Sequence, residues 1–140
     1  RGILDIEWIT GAAEALPLPD NSRDIYTIAF GLRNVTRIDD ALREAYRVLR
    51  PGGRFYCLEF SRVEPPAFRK FYDLYSFNVI PRLGRLIAND EAAYRYLVES
   101  IRQFPGQDTL STRIAHAGFS HVGYFNLQFG IAAIHKGLKK

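Results

Sequence analysis

The chain has 140 residues, 47% of them hydrophobic, and this size and composition are ordinary for one globular domain. Its net charge of +4 comes from lysines and arginines scattered along the sequence, whereas a nucleic-acid surface needs them clustered, so we expect no nucleic-acid partner. Cys57 is the only cysteine, which excludes a disulfide framework, and no apolar run reaches the ~18 residues that a membrane span needs.

The first strand signals lie in the opening 31 residues. Ile6–Thr10 is a short β-prone run that ends at Gly11, and two prolines predict a loop or single turn over residues 13–19. Asp24–Phe30 is almost continuously apolar after its first residue, which is typical of a strand covered on both faces. Gly31 ends this predicted strand.

A helix followed by another strand comes next. The helix is predicted over Ile38–Leu49, where Thr36 and Asp39 indicate a start like a capping box. Its apolar residues fall on one stripe: Ile38, Leu42, Ala45 and Leu49. The Pro-Gly-Gly of residues 51–53 ends the helix, and Arg54–Phe60 is the next apolar strand. Strand, helix and strand in succession predict a βαβ unit with parallel strands and a right-handed crossover.

The remaining residues predict helices and then a hairpin. An aromatic-rich helical insertion is predicted over 61–104, with helices near Pro66–Ile80 and Asp90–Phe104. A third helix, about Thr109–Ala117, ends at Gly118, a residue type favoured after a helix. The last two strands are separated only by a tight Phe-Gly joint, which predicts an antiparallel hairpin over 121–136 at the sheet edge, with these strands: His121–Gln128 and Ile131–Lys136.

The cysteine and the histidines do not indicate metal or nucleophile chemistry. Cys57 lies in an apolar run, so we interpret it as a buried, inert thiol. His116, His121 and His135 lie on separate predicted elements without ligand spacing, and we expect no metal site.

Four longer strings resemble one enzyme family. They are Phe30–Thr36 (Phe-Gly-Leu-Arg-Asn-Val-Thr), Arg47–Ser61, Tyr72–Phe77 and Tyr96–Ile101. From about Trp8 onward the chain resembles the ubiquinone/menaquinone biosynthesis C-methyltransferases, more the mitochondrial ubiquinone branch than the bacterial one. The resemblance implies an α/β fold of the class I S-adenosylmethionine-dependent methyltransferase (Rossmann-like) type. That fold would be incomplete here, lacking the first βαβ cofactor-binding part.

The resemblance also implies a reaction. A methyl group passes from S-adenosylmethionine to a ring carbon of a polyprenylated methoxy-benzoquinol. That carbon becomes nucleophilic when the neighbouring phenol loses its proton, so the site needs a group that accepts the proton or stabilises the phenolate. A homodimer, partners in a quinone-biosynthesis complex and peripheral membrane contact are further expectations. The expected location is the mitochondrial matrix at the inner membrane, or the cytoplasm if the protein is bacterial.

Arg33 and Asn34 are the predicted catalytic residues. They follow the carboxyl end of a predicted parallel strand, where α/β sheets bind ligands, and the resemblance places them at the quinol. A guanidinium stays protonated, so we interpret Arg33 as a phenolate stabiliser and Asn34 as the residue that orders a proton-carrying water. The structural alternative is an Arg33 that pairs with a helix carboxylate and an Asn34 that lies in a turn.

The resemblance places the cofactor at three alanines. Ala12 and Ala13 fall where family members hold the adenine, typically with Asp or Asn followed by Ala. Ala12 removes the side-chain hydrogen bond to the adenine amino group, which leaves the backbone of Ala13. Ala29 corresponds to a further cofactor contact and can offer only its backbone and packing.

The predicted substrate-binding residues are Glu59, Tyr72, Tyr75 and Phe77. Glu59 ends its predicted strand at the crevice, although it could equally accept backbone hydrogen bonds of the next loop. The three aromatic residues lie in the insertion, where an aromatic lining suits a flat quinol ring and an apolar tail. Plain helix packing is the alternative for each of them.

The family's Gly-rich loop and its ribose-binding acidic residue have no counterpart before Trp8. We therefore expect residues 1–140 to be the C-terminal part of one methyltransferase domain that is inactive alone. Without neighbouring strands, it would swap, oligomerise or leave Arg1–Pro19 poorly ordered. Two rival functions stay open: a methyltransferase for a sterol or other small lipid, and a non-catalytic binding module of a quinone-biosynthesis assembly.

Overall fold

The computed structural model of the chain describes residues 6–63 and 91–140. In chain order the elements are β1 (Arg23–Ala29), α1 (Ile38–Val48), β2 (Leu49–Phe60), α2 (Glu91–Gln103), α3 (Gln107–His116), β3 (Ser120–Leu127) and β4 (Ala132–Leu138). A 3₁₀ turn, Leu32–Asn34, lies between β1 and α1, and a second, Gln128–Gly130, joins β3 to β4.

The strands form one mixed sheet in the order β1-β2-β4-β3. β1 and β2 are parallel and are connected through α1, which confirms the predicted βαβ unit. β4 is antiparallel to both β2 and β3, so the predicted C-terminal hairpin is also confirmed, with β3 at the edge. The α/β architecture expected from the sequence is therefore present.

The strand register shows which side chains share a face of the sheet. One row across the four strands faces α1 and α3: Ile28, Cys57, His135 and Tyr124. The next row lies on the opposite face: Ala29, Leu58, Ile134 and Phe125. The sequence predicts that both faces of β1 are covered. For the described residues this prediction is wrong, because Ile25 is 58% exposed. β1 is an edge strand, and only its alternate side chains pack against the core.

The core lies between the sheet and α1 and α3. Its buried members are Leu32, Ala41, Leu42, Ala45, Leu49, Phe55, Cys57, Phe104, Leu110, Ile114 and Phe119. The ring of Phe55 lies 5.1 Å from that of Phe119 and 5.8 Å from that of Tyr26. Burial, with a smaller contribution from the charge of Glu59, raises the pKa of the Cys57 thiol to about 12. Cys57 is therefore the buried, inert thiol that the sequence predicts.

The helix boundaries agree with the predicted ones within a few residues, but one predicted cap is wrong. The N-cap of α1 is Arg37, whose side chain makes no capping hydrogen bond, so Thr36 and Asp39 do not form a capping box. The Glu14 carboxylate instead accepts a hydrogen bond from the Arg37 N–H at 3.3 Å. At the end of α3, Gly118 has φ +112°, which only glycine adopts without strain, as its predicted role requires.

The helix predicted near Pro66–Ile80 lies outside the described residues. Ile6–Thr10 is described, but the strand predicted there is wrong because the run is irregular. Strand propensity alone does not form a strand, since its N–H and C=O groups need a neighbouring strand, and among the described strands none pairs with this run.

The loop before β1 is tied to α1 by side-chain hydrogen bonds. The Leu16 N–H donates to Glu44 Oε1 at 2.7 Å, and Arg47 Nη2 donates to the Leu16 carbonyl at 3.1 Å. Arg47 also donates to Glu44 and to Asp20. These contacts join the loop to α1 at Leu16 and Asp20, and the expected swapping, oligomerisation or poor order of Arg1–Pro19 stays a prediction.

A buried histidine couples this fold to pH. The His135 side chain is buried, and its Nε2 lies 3.1 Å from the Gln107 carbonyl, so Nε2 carries the proton and donates it. Nδ1 is also buried, and no group in residues 6–63 or 91–140 forms a hydrogen bond with it. Burial lowers the pKa of His135, and this effect outweighs the opposing influences of Gln107 and Asp108. The unfolded chain therefore binds a proton more readily than the folded chain at this residue.

We expect the free energy of unfolding to fall as pH drops through about 6.5, the ordinary pKa of the unfolded imidazole. The slope from this one group reaches at most about 1.4 kcal/mol per pH unit and vanishes below the folded pKa. Urea titrations across this range measure it. His135→Gln should remove that part of the pH dependence, whereas the exposed His116→Gln should retain it. Identical pH profiles for wild type and His135→Gln would contradict the assignment.

Candidate functional site

The chain turns sharply after β1 and presents two polar side chains. Phe30 has φ +52°, a conformation that costs a bulky residue about 1–3 kcal/mol, and its N–H donates to the Leu58 carbonyl at 2.9 Å. The buried Leu32 anchors the 3₁₀ turn that follows. This turn places Arg33 and Asn34 at the carboxyl end of β1, beside the end of β2. Backbone strain at such a position is typical of functional sites.

Glu59, next to the end of β2, holds Arg33 in place. Its Oε1 accepts a hydrogen bond from Arg33 Nη1 at 2.8 Å, and its Oε2 accepts one from the Arg33 backbone N–H at 3.2 Å. The Phe60 N–H also donates to Oε1, at 3.0 Å. The carboxylate is 1% exposed and thus receives three donors within the fold. The structural alternative for Arg33 is an ion pair with a carboxylate on a helix. The carboxylate that pairs with Arg33 in the structure, Glu59, lies on strand β2 instead.

Aromatic rings and a carbonyl fix the Arg33 side chain further. Nη1 also donates to the Phe30 carbonyl, and the guanidinium carbon lies 5.4 Å from the centroid of the Phe60 ring. The rings of Phe30 and Phe60 pack with their centroids 4.8 Å apart. Arg33 Nε is buried and has no hydrogen-bond partner among the described residues. The result is a cation held in one orientation and only 12% exposed.

Asn34 is joined to α2 through Tyr96. The Tyr96 hydroxyl donates to Asn34 Oδ1 at 3.0 Å, and Tyr96 is 57% exposed. A cavity of about 260 Å³ lies beside this contact and is lined by Arg33, Ile38, Tyr96, Glu99, Ser100, Gln103 and Phe104. A second cavity, of about 430 Å³, is lined by Ala92, Arg95, Tyr96 and Glu99. Tyr96 and Glu99 border both cavities.

Sequence reasoning did not single out Tyr96 as a site residue. The residues that set the apolar stripe of the predicted helix are Tyr94, Leu97, Val98, Ile101 and Phe104. Tyr96 is outside this stripe, and an aromatic residue on the polar face of a helix is the signal that could have drawn attention to it.

The three alanines predicted at the cofactor fall in two places. Ala29 is the exposed last residue of β1 and pairs with Leu58, so it lies at the same sheet edge as Arg33. Ala12 and Ala13 lie in the loop before β1, where the Ala15 N–H donates to the Ala12 carbonyl at 3.0 Å. Ala12 and Ala29 are exposed, and the cofactor contacts expected of the three alanines stay predictions.

The structure therefore brings four predicted residues together at the carboxyl ends of β1 and β2: Arg33, Asn34, Glu59 and Ala29. Across residues 6–63 and 91–140, no hydrogen bond or ion pair joins Ala12 or Ala13 to this group. The other predicted substrate residues lie outside the described residues and stay predictions: Tyr72, Tyr75 and Phe77.

Metal-ligand clusters and membrane-spanning helices are both absent from residues 6–63 and 91–140. No group of three or more histidine, cysteine, aspartate or glutamate side chains there could hold a metal ion. None of the helices described there has the length and apolar character that crossing a membrane requires.

Similarity to solved structures concerns the fold. The chain superposes with a TM-score of 0.63 and 22% identity on a SAM-dependent methyltransferase of Thermotoga maritima, a possible histamine N-methyltransferase, over 93% of this chain and 62% of that one. It superposes with a TM-score of 0.64 and 15% identity on a SAM dependent methyltransferase of Aquifex aeolicus, over 99% of this chain and 57% of that one. These likenesses confirm the predicted class I methyltransferase fold in partial form.

Sequence relatives extend the comparison. The chain is 60% identical over 134 residues to the ubiquinone/menaquinone biosynthesis C-methyltransferase UbiE of Dinoroseobacter shibae, covering 96% of this chain and 54% of that protein. It is also 60% identical over 134 residues to the mitochondrial 2-methoxy-6-polyprenyl-1,4-benzoquinol methylase of Bos taurus, covering 96% of this chain and 41% of that protein. It thus spans about half the length of the curated relatives it matches. Residues 1–139 match the model of the ubiE/COQ5 methyltransferase family, and the chain belongs to that family.

Proposed function

We propose that the whole protein transfers a methyl group from S-adenosylmethionine to a ring carbon of a polyprenylated methoxy-benzoquinol in ubiquinone biosynthesis. Family membership and the names of the relatives support this reaction. The single observation that carries it is the Arg33–Glu59 pair at the carboxyl ends of two parallel strands. That end of the strands is where α/β sheets bind their ligands.

Arg33 fits the role of phenolate stabiliser. Glu59 and the Phe30 carbonyl both accept from Nη1, so the guanidinium is oriented before any substrate binds. A donor that is already oriented stabilises developing negative charge without first having to reorganise. Since a guanidinium does not release its proton at physiological pH, Arg33 acts as an electrostatic group and the proton leaves by another acceptor.

Glu59 takes the role of a positioning residue in this proposal. The carboxylate is buried and its oxygens already receive Arg33 and Phe60, so it acts on the quinol through Arg33. The residues that we propose to contact the substrate directly are the aromatic residues predicted in the insertion: Tyr72, Tyr75 and Phe77.

The cofactor contributes an activated methyl group carried on a sulfonium. Ala12, Ala13 and Ala29 would hold it through backbone and packing, because none of these side chains carries a polar atom. This composition favours recognition of the adenine by peptide groups.

The surroundings proposed for the protein follow from its substrate. A polyprenyl tail partitions into lipid, so we place the protein at a membrane surface, where a net charge of +4 favours contact with anionic lipid. The relatives are both mitochondrial and bacterial, which fits the mitochondrial matrix or the bacterial cytoplasm. A homodimer and a quinone-biosynthesis complex are the proposed assemblies.

Calorimetry with S-adenosylmethionine, followed by acceptor assays, tests the proposed function in the whole protein. We expect saturable binding heat and methyl transfer to demethylated polyprenyl methoxy-benzoquinol, with no transfer to a sterol offered at the same concentration. An absence of binding heat would favour a non-catalytic module. Transfer to the sterol alone would assign the protein to another small-lipid acceptor.

A further inference from the structure

Tyr96 and Asn34 form a hydrogen bond between elements that are 62 residues apart in the chain. The Tyr96 hydroxyl donates to Asn34 Oδ1 at 3.0 Å, which makes the opposite end of the amide the donor group Nδ2. Within the part of the chain that the structure describes, Nδ2 has no hydrogen-bond partner. Asn34 is exposed, so this donor remains available to a bound molecule.

The position of this pair connects it to the candidate site. Asn34 follows Arg33 directly in the 3₁₀ turn, and Arg33 shares the lining of the 260 Å³ cavity with Tyr96. An unrestrained side-chain amide rotates about its last torsion and presents its oxygen or its nitrogen almost equally. In the arrangement of the structure the Tyr96 hydroxyl donates to the oxygen, and this bond fixes the amide with its nitrogen as the outward donor.

We propose that Tyr96 is a positioning residue that holds the Asn34 amide so that Nδ2 donates to an oxygen of the methoxy-benzoquinol ring. This inference rests on the proposed function and names the group that donates a hydrogen bond to a ring oxygen of the substrate. Asn34 then acts as a direct hydrogen-bond donor, in place of the water-ordering role expected from the sequence. The Asn34 amide forms no covalent bond with the substrate and transfers no proton. Its Nδ2 donates a hydrogen bond to the ring oxygen in either the phenol or the phenolate form.

A double-mutant cycle on binding of 2-methoxy-4-nitrophenol tests this assignment, because the phenolate of this probe absorbs visible light. We compare wild type, Tyr96→Phe, Asn34→Ala and the double variant. Each single change should weaken binding about three- to tenfold, the worth of one hydrogen bond. The double variant should bind no more weakly than Asn34→Ala alone, because Tyr96 acts only through Asn34.

Two further variants separate this role from structural effects. Asn34→Asp keeps an oxygen for Tyr96 and removes the amide donor, so it should bind the probe as weakly as Asn34→Ala. Tyr124→Phe removes a tyrosine hydrogen bond to Asp108 on another element and should leave probe affinity unchanged. Circular dichroism should show the same fold for every protein in the set.

Several results would overturn the inference. They are additive losses in the double variant, unchanged affinity in Tyr96→Phe, full affinity in Asn34→Asp, or no binding of the probe by wild type. Methyl transfer to the quinol, measured separately, distinguishes this failure from that of the proposed function. Normal transfer with an unaffected Tyr96→Phe rejects only the positioning role. Coupled probe binding without methyl transfer rejects only the reaction.

Discussion

Glu59→Gln is expected to lower the free energy of unfolding by about 3 to 5 kcal/mol, because it leaves a buried cation without its counter-charge. The Arg33 and Glu59 side chains are 12% and 1% exposed, so solvent screens this pair little. The glutamine keeps the shape of the side chain but turns an amide N–H₂ or a weaker acceptor toward the guanidinium. Urea-induced unfolding followed by circular dichroism measures the change.

An exposed ion pair provides the control for this prediction. Asp24 and Arg50 form a pair in which each side chain is 62% exposed. Asp24→Asn should change the free energy of unfolding by less than about 1 kcal/mol, as surface pairs do. Equal effects of Glu59→Gln and Asp24→Asn would show that burial of the Arg33 pair does not matter for stability.

The second large effect concerns turnover. Removing both charges with Arg33→Met and Glu59→Gln together leaves no unpaired buried ion, so the free energy of unfolding should recover most of the loss seen in Glu59→Gln. Methyl transfer should nevertheless fall by about 10²- to 10³-fold, the usual cost of losing a donor that stabilises developing negative charge. The measurement is kcat for the quinol at saturating S-adenosylmethionine in the whole protein.

A matched double variant shows whether this loss is specific to the site. Arg113 donates to Asp39 from Nε and Nη2, joining α3 to α1 away from the candidate site. Arg113→Met together with Asp39→Asn should keep kcat within about twofold, since surface charges contribute little to a distant transition state. Wild-type turnover in the Arg33→Met and Glu59→Gln protein would contradict the role of Arg33.

The parts of the fold that sequence reasoning predicts well are those with a local signature. The apolar stripe of α1 and the Pro-Gly-Gly after it mark strand, helix and strand, and the tight Phe-Gly joint marks the hairpin. Each of these signals involves neighbours a few residues apart. Their backbone hydrogen bonds form with the partners that the pattern predicts. The boundary of β2 is less accurate, because this strand begins at Leu49 and includes the Pro-Gly-Gly, whereas the prediction begins it at Arg54.

The errors arise where a distant partner decides the outcome. Ile6–Thr10 has the residue types of a strand, yet strand formation depends on another strand beside it. At the N-terminus of α1 the backbone N–H donates a hydrogen bond to Glu14 in the preceding loop. Thr36 and Asp39 have the spacing of a local cap but do not form one. Apolar character likewise does not reveal that only one face of β1 is covered within the described residues, which leaves Ile25 exposed.

The candidate site divides in the same way. Arg33 and Asn34 are predictable from their place after a parallel strand and from family resemblance. Glu59 is itself a predicted site residue, but its pairing with Arg33 across 26 residues is not predictable. Nor is the pairing of Tyr96 with Asn34 across 62 residues. Neither spacing carries a periodic signal. Only the folded chain shows that the arginine is held by a buried carboxylate and the asparagine by a tyrosine.

Carbon methylation of the quinol is tested most directly by following an isotope-labelled methyl group into the product. The whole protein is supplied with S-adenosylmethionine labelled in its methyl carbon and with demethylated polyprenyl methoxy-benzoquinol. Nuclear magnetic resonance of the purified product then locates the label. We expect the label on a ring carbon of the quinol. A label on a phenolic oxygen, or a quinol recovered without label, would contradict a C-methyltransferase.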